Sequence, residues 1–280
     1  LHPRVRRQRQ MCIRDRHNGE HIKVIAKIES NEGVNNIDSI IEVTDAVMVA
    51  RGDMGVEIPI EQVPIIQKKI IKKCNLAGKV VITATQMLDS MIRNSMPTRA
   101  EACDICNAIF DGTDGIMLSG ESASGNFPIE AAKIMSKIAM ETEANLDYSH
   151  LSNSNIDPRS LSFADAISYS ACRTATAVGA EAIVAATQSG ATARLLSKYR
   201  PKAPIIAITP NDYVMRGLAL NFGVIPVHCK MFNTTDEILN EAKRVAKNFD
   251  FINSGDEIIV AAGMPTTHTG GTNMLKIEKV

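Results

Sequence analysis

Lys27 and Glu29 stand two residues apart at the end of the apolar run IKVIAKIE (22–29). In an extended strand that spacing puts both side chains on one face. An ammonium beside a carboxylate can bind a phosphate together with the metal ion that neutralises it. Taken alone, the same two residues are equally well a surface ion pair on an edge strand. The run AVMVA (46–50) leads directly into Arg51, Gly52 and Asp53, so Asp53 brings a second carboxylate to the end of the next strand. Two hard oxygen ligands with room left for substrate oxygens suit Mg²⁺. Gly52 and Gly55 let the backbone turn tightly there. A short helix starting here would aim N–H groups at an anion. An ordinary strand-to-helix turn with Asp53 as N-cap stays open. In KVVITAT (79–85), Thr83 and Thr85 are expected on one strand face. The Thr85 hydroxyl then either serves a substrate carboxylate or a proton relay, or is satisfied in the core. GIMLSGES places Ser119 and Glu121 at the corresponding point of a fourth strand.

The steps from Lys27 to Asp53, to Thr85 and to Ser119 are 26, 32 and 34 positions. Each is about one strand–helix unit. Four strands that each deliver a polar residue to one rim are harder to assign to chance than any single residue. Further runs follow as AIVAAT (182–187), PIIAIT (204–209), VIPVH (224–228) and EIIVAAG (257–263). They are rich in Val, Ile and Ala without clean alternation, as strands buried on both faces are. Helical patterns lie between them. One is QVPIIQKKIIKKCNLAG, with Ile65, Ile66, Ile70 and Lys73 at helical spacing and a stop at Gly78. The class is therefore α/β with parallel sheets. Residues 144–160 are polar, rich in Ser and Asn, and read as a linker. The expected organisation is a tail (1–17), four strand–helix units (18–143), the linker (144–160) and a smaller doubly wound α/β domain (161–280). A closed (β/α)₈ TIM barrel needs eight such units, so half of one would precede this segment.

Composition narrows the function. The 31 basic and 31 acidic residues cancel, which disfavours a nucleic-acid or membrane partner. No apolar run has the length of a membrane helix. Six scattered cysteines suggest a reducing cytoplasm rather than a disulfide framework. Cys103 and Cys106 form a C-x-x-C inside an amphipathic helical pattern, where buried packing is the better account than metal or redox use. Residues 1–16 hold six arginines without apolar periodicity. They are read as a disordered tail or a sequence artefact rather than a nucleic-acid arm.

With these residues in view, IAKIESNEGVNNIDSI, VARGDMGVEIP, ITATQMLDSMI, PTRAEACDICNAIFDGTDGIMLSGESASGNFP and TQSGATARLLSKYRPKAPIIAIT resemble pyruvate kinases over about residues 18–280. The resemblance implies phosphoryl transfer from phosphoenolpyruvate to ADP, giving pyruvate and ATP in glycolysis. It makes Lys27 the phosphoryl-transfer lysine and gives Glu29 and Asp53 to a divalent metal, Mg²⁺ or Mn²⁺. It sets the backbone of Ala50, Arg51 and Gly52, with Asp53, against the pyruvate moiety. Thr85 would lie at the substrate carboxylate near the site of enolate protonation, with Ser119 close by. A K⁺ requirement is implied, with its site outside this segment. So is a homotetramer, with a subunit contact near Arg99 and Glu101.

The resemblance also assigns a sugar-phosphate effector to the loop Thr187, Gln188, Ser189, Gly190, Ala191 and Thr192, where hydroxyls and amides open a helix. A plain strand-to-helix loop is the alternative. MPTTHTGGTN could close over such a ligand, and His268 within it reads as a solvated residue. Two further readings remain. One is another metal-dependent phosphoenolpyruvate or pyruvate barrel enzyme, such as an aldolase or dikinase. The other is a truncated, non-catalytic effector-binding or assembly module. The 280-residue chain alone is expected to lack useful turnover.

Overall fold

The computed structural model describes residues 19, 22–148, 161–264 and 271–280. The arginine-rich tail, most of the linker and His268 lie outside the described residues. The chain divides into two compact units between Leu146 and Asp147.

The first unit runs β1 (Ile25–Ile28), α1 (Asn31–Asn35), α2 (Ile37–Val43), β2 (Ala46–Ala50), α3 (Arg51–Glu57), α4 (Val63–Ala77), β3 (Val80–Ala84), α5 (Arg99–Phe110), β4 (Gly115–Met117), α6 (Gly120–Ala123) and α7 (Pro128–Ala144). The four strands form one parallel sheet in sequential order β1-β2-β3-β4. This is the arrangement of a partial TIM barrel. Register pairs Ile28 with Val49 and Ala50 with Ala84, so the strand ends share one rim. Side chains alternate across the sheet. Ile28, Val47, Val49 and Val81 pack against Ile40, Ile41, Ile70, Ile71 and Cys74. The other face carries Ala46, Met48, Val80, Ile82 and Met117.

The opposite ends of β2 and β4 are pinned by one repeated device. The Thr44 hydroxyl lies 2.9 and 2.8 Å from the carbonyls of Val24 and Ala46, and the Asp45 carboxylate accepts from the Val24 N–H at 2.8 Å. The Thr113 hydroxyl lies 3.1 and 3.0 Å from the carbonyls of Val81 and Gly115, and Asp114 accepts from the Val81 N–H at 2.9 Å. A Thr-Asp pair thus satisfies backbone groups that strand pairing leaves over.

Several expectations change in detail. On α4 the buried residues are Val63, Gln67, Ile70, Ile71 and Cys74. Ile65 is 55 % exposed, and Lys73 pairs with Asp38 at the surface. The apolar face is rotated because the helix packs through 63, 67, 70, 71 and 74. Gly78 ends the helix at φ 64°, as its stop signal implied. Helix α5 buries Ile105, Ala108 and Ile109, so Cys103 is exposed and Cys106 only partly covered. The buried-packing account of that cysteine pair is therefore wrong for Cys103. Among the described residues no group of three or more His, Cys, Asp or Glu gathers as for a metal. The buried thiols are poor nucleophiles, since burial pushes Cys74 and Cys229 up to about 12.

The second unit runs α8 (Phe163–Val178), β5 (Ala182–Ala186), α9 (Ala191–Lys198), β6 (Ile205–Thr209), α10 (Asp212–Leu218), β7 (Val224–His228), α11 (Thr235–Ala246), β8 (Glu257–Ala262) and β9 (Met274–Lys279). Its sheet order is β7-β6-β5-β8-β9. Residues of α8, α9 and α10 pack on one face, and those of α11 on the other. Both faces are covered, as a doubly wound sheet requires. Strand β9 was not anticipated, and it runs antiparallel to β8. Its MLKIEK segment mixes polar and apolar residues because it is an edge strand whose residues are only half-buried or exposed, with Leu275 and Met274 packing on opposite faces of the sheet. Among the described residues no helix is long and apolar enough to cross a membrane.

Candidate active site

Lys27 projects from β1 and its ammonium donates to Asp53 Oδ2 at 2.7 Å while also pairing with Glu29. The three side chains therefore converge at one point on the rim. Glu29 lies just past the end of β1 and Asp53 in the first turn of α3, so neither needs a long loop to reach Lys27. Asp53 is not the N-cap, a position that Ala50 takes. The hydrogen bonds that the Lys27 ammonium donates to Asp53 and then to Glu29 hold it above the usual lysine range. The hydrogen bond and charge of Lys27 hold the Asp53 carboxyl below the usual carboxylate range. All three groups are substantially solvent-accessible. Two adjacent carboxylates already neutralising one cation form a hard-oxygen donor set open to solvent. That suits Mg²⁺ or Mn²⁺, which complete their shells with water and substrate oxygens.

Ala50 ends β2 fully buried. The Gly52 N–H donates to Thr85 Oγ1 at 2.8 Å, and that hydroxyl lies 2.6 Å from the Ala84 carbonyl. Thr85 does not continue the strand alternation, because β3 ends at Ala84 and Thr85 has φ 69°. Thr83 instead points to the helix side and bonds Thr113, so the two threonines do not share a face. A β-branched residue in the left-handed region is strained by about 1–3 kcal/mol. Gln86 follows at φ 55°. The Arg51 side chain, which the sequence reading did not use, turns inward to the Thr85 carbonyl and Asp104. An arginine where an apolar strand meets its helix was the only available signal for it.

Ser119 caps α6, and its N–H donates to Glu121 Oε2 at 2.7 Å. No described bond joins Ser119 to the Lys27 cluster. Glu121 is 2 % exposed and also accepts from the Leu88 N–H at 3.0 Å. It ties the segment after β3 to the end of β4 rather than facing the rim as its position suggested. Its burial follows from the backbone N–H groups that it satisfies.

In the second unit, Gly190 starts α9 at φ 82°. A Cβ there would stand 2.5 Å from the Arg194 guanidinium and 3.1 Å from Val214, so the turn requires glycine. The Thr187 hydroxyl accepts from the Gly190 N–H at 3.0 Å. Thr187, Gln188, Ser189, Ala191 and Thr192 line a cleft of about 100 Å³. Its far wall includes Thr272, whose hydroxyl bonds that of Thr192 at 2.9 Å. Two of the loop's hydroxyls are therefore already engaged, that of Thr187 in the turn itself and that of Thr192 with Thr272.

Known proteins can be set beside this geometry. A family model described as pyruvate kinase, barrel domain, matches residues 4–132, beginning inside the arginine-rich segment set apart above. A second, pyruvate kinase, alpha/beta domain, matches residues 165–278. Pyruvate kinase of Clostridium perfringens is 68 % identical over 270 residues, covering 96 % of this chain and 57 % of its own length. That of Clostridium acetobutylicum is 56 % identical over 262 residues, covering 94 % of this chain and 55 % of its own. The crystal structure of a pyruvate kinase from Cryptosporidium parvum is similar with a TM-score of 0.88 at 43 % identity. It covers 94 % of this chain and 52 % of that one. The chain thus spans a little over half the length of these relatives. Matches of both units, in order, to the two domain types of one family, with identities this high, establish that the chain belongs to the pyruvate kinase family.

Proposed function

We propose that residues 25–121 carry the phosphoryl-transfer rim of a pyruvate kinase. The observation that carries this reading is the meeting of Lys27, Glu29 and Asp53 at one point. In the reaction the bond between phosphorus and the enol oxygen of phosphoenolpyruvate breaks. A bond forms from phosphorus to a terminal oxygen of ADP, and the enolate takes a proton at C3 to become pyruvate. Lys27 neutralises charge on the moving phosphoryl group, and no covalent enzyme intermediate is needed. Glu29 and Asp53 would hold a Mg²⁺ or Mn²⁺ ion, which would supply Lewis-acid neutralisation of phosphoryl charge. The Ala50–Gly52 backbone with Asp53 lines the pyruvate side. Thr85 sets its hydroxyl at the substrate carboxylate, near C3. Ser119 belongs to the same rim more remotely. Cytoplasmic location, K⁺ dependence and a homotetramer complete the reading.

Joining this chain to the N-terminal part of its Clostridium perfringens relative gives a completed chain. A coupled assay is expected to detect ADP-dependent pyruvate formation by that chain. The 280-residue chain alone is expected to show none, because its described residues form only four of the eight strand–helix units that a closed barrel needs. An inactive, folded completed chain would favour the effector-binding or assembly module instead.

The cleft at the start of α9 is proposed to take the phosphate of a sugar-phosphate effector. Gly190→Val, which cannot keep the turn, is expected to abolish the binding of a sugar phosphate measured by calorimetry. Equal heats for the two proteins would reduce this loop to a plain connection.

A further inference from the structure

Arg51 departs from the Lys27 rim and buries its guanidinium, leaving the residue 8 % exposed. Nε and Nη2 both donate to the Thr85 carbonyl, at 3.3 and 2.7 Å. Nη1 donates to an Asp104 carboxylate oxygen and reaches Gln67 Oε1 at 3.4 Å. The next residue, Gly52, holds the other end of Thr85 by donating its N–H to Oγ1. A single two-residue turn therefore grips both the carbonyl and the hydroxyl of one residue. That residue is a β-branched one at φ 69°, followed by Gln86 at φ 55°. Such backbone persists only where its surroundings over-determine it.

We propose that the Arg51 side chain is a positioning group for Thr85, setting the direction of its hydroxyl at the rim while the guanidinium itself does not touch substrate. A guanidinium suits this task because its planar fork serves the carbonyl and the carboxylate together. A lysine ammonium is a single point of contact on a flexible stem and lacks that fork. The inference rests on the reading of Thr85 as a residue beside the substrate carbon.

The test follows one partial reaction in the completed chain, the exchange of pyruvate C3 protons with solvent deuterium. In it a proton leaves C3 and a deuteron from solvent replaces it, with no phosphoryl transfer. The variants are T85A, R51K and the two combined. T85A is expected to slow exchange, and R51K to slow it roughly tenfold or more with the KM for pyruvate nearly unchanged. In the T85A background R51K is expected to add nothing, because both act through one hydroxyl. A residue that merely supports the fold would move KM as well and would multiply the T85A defect. R51K exchanging at the parental rate, or a fully multiplicative pair, overturns the proposal while leaving Thr85 in its role. T85A exchanging at the parental rate removes the Thr85 reading, and this inference with it. Should R51K fail to fold, the Thr85 Cα and Cβ chemical shifts of R51Q in the 280-residue chain report the left-handed backbone directly. Shifts that match the parent overturn the proposal.

Discussion

Lys27→Met in the completed chain is expected to lower turnover by about a thousandfold, the usual scale for losing a charge-neutralising group in phosphoryl transfer. The fold should tolerate the change. Lys27 lies near the end of β1 and its side chain is about half exposed, where substitutions typically move stability by only about 0.5 kcal/mol. Metal binding separates this loss from a general collapse of the site. The ammonium now occupies both carboxylates, so removing it leaves Glu29 and Asp53 free for a cation. Mn²⁺ bound by the 280-residue chain, followed by electron paramagnetic resonance, should be held at least as tightly by the methionine variant. Parental turnover in the variant would take Lys27 out of the reaction. Lost Mn²⁺ binding with intact circular dichroism would mean that Lys27 builds the metal site rather than competing for it.

Asp53→Asn carries the second large effect, a fall in Mn²⁺ affinity of about ten- to a hundredfold, scaled on what weaker perturbations of metal sites cost. The amide keeps one neutral oxygen but loses the anionic charge that a hard cation requires. Glu29→Gln should act in the same direction. The pH response follows from the ion pairs. Asp53, held low by Lys27, contributes stability above the ordinary carboxylate value and loses it as pH falls through its lowered value. Lys27, held high by Asp53 and Glu29, contributes stability below the ordinary lysine value and loses it as pH rises through its raised one. The paired rim therefore spans from about pH 4 to about pH 10. Mn²⁺ binding should fade below that window as Asp53 protonates. Affinity for Mn²⁺ unchanged in both carboxylate variants would refute the metal assignment.

Much of the fold was legible because burial on both faces writes itself as Val, Ile and Ala runs, and because turn chemistry is local. Gly78 stops α4 at positive φ as its position implied. The pairing of Lys27 with Asp53 across 26 residues followed from strand-end positions and the unit repeat. Strand β9 was missed because a half-exposed edge strand lacks the continuous apolar run that marked its neighbours. Cys103 was misassigned because periodicity finds a helix more easily than the exact rotation of its buried face. Glu121 has the composition and place of a site residue. Only the nearby N–H groups of Leu88 and Ser119 reveal that it is used up inside the structure.

The sequence by itself determined the α/β class, the doubly wound second domain, the family, and the three charged residues that meet on the rim. The class, the second domain and the rim residues follow from residue type and strand-end position, which are local properties, and the family from the resemblance of the motifs along the chain. Only the tertiary structure decided that Thr85 leaves its strand in a left-handed turn and that Arg51 points inward to hold it. Both depend on contacts among β2, β3 and α5, segments far apart in the chain, and no local pattern encodes a conformation that is stable only when its distant partners are in place.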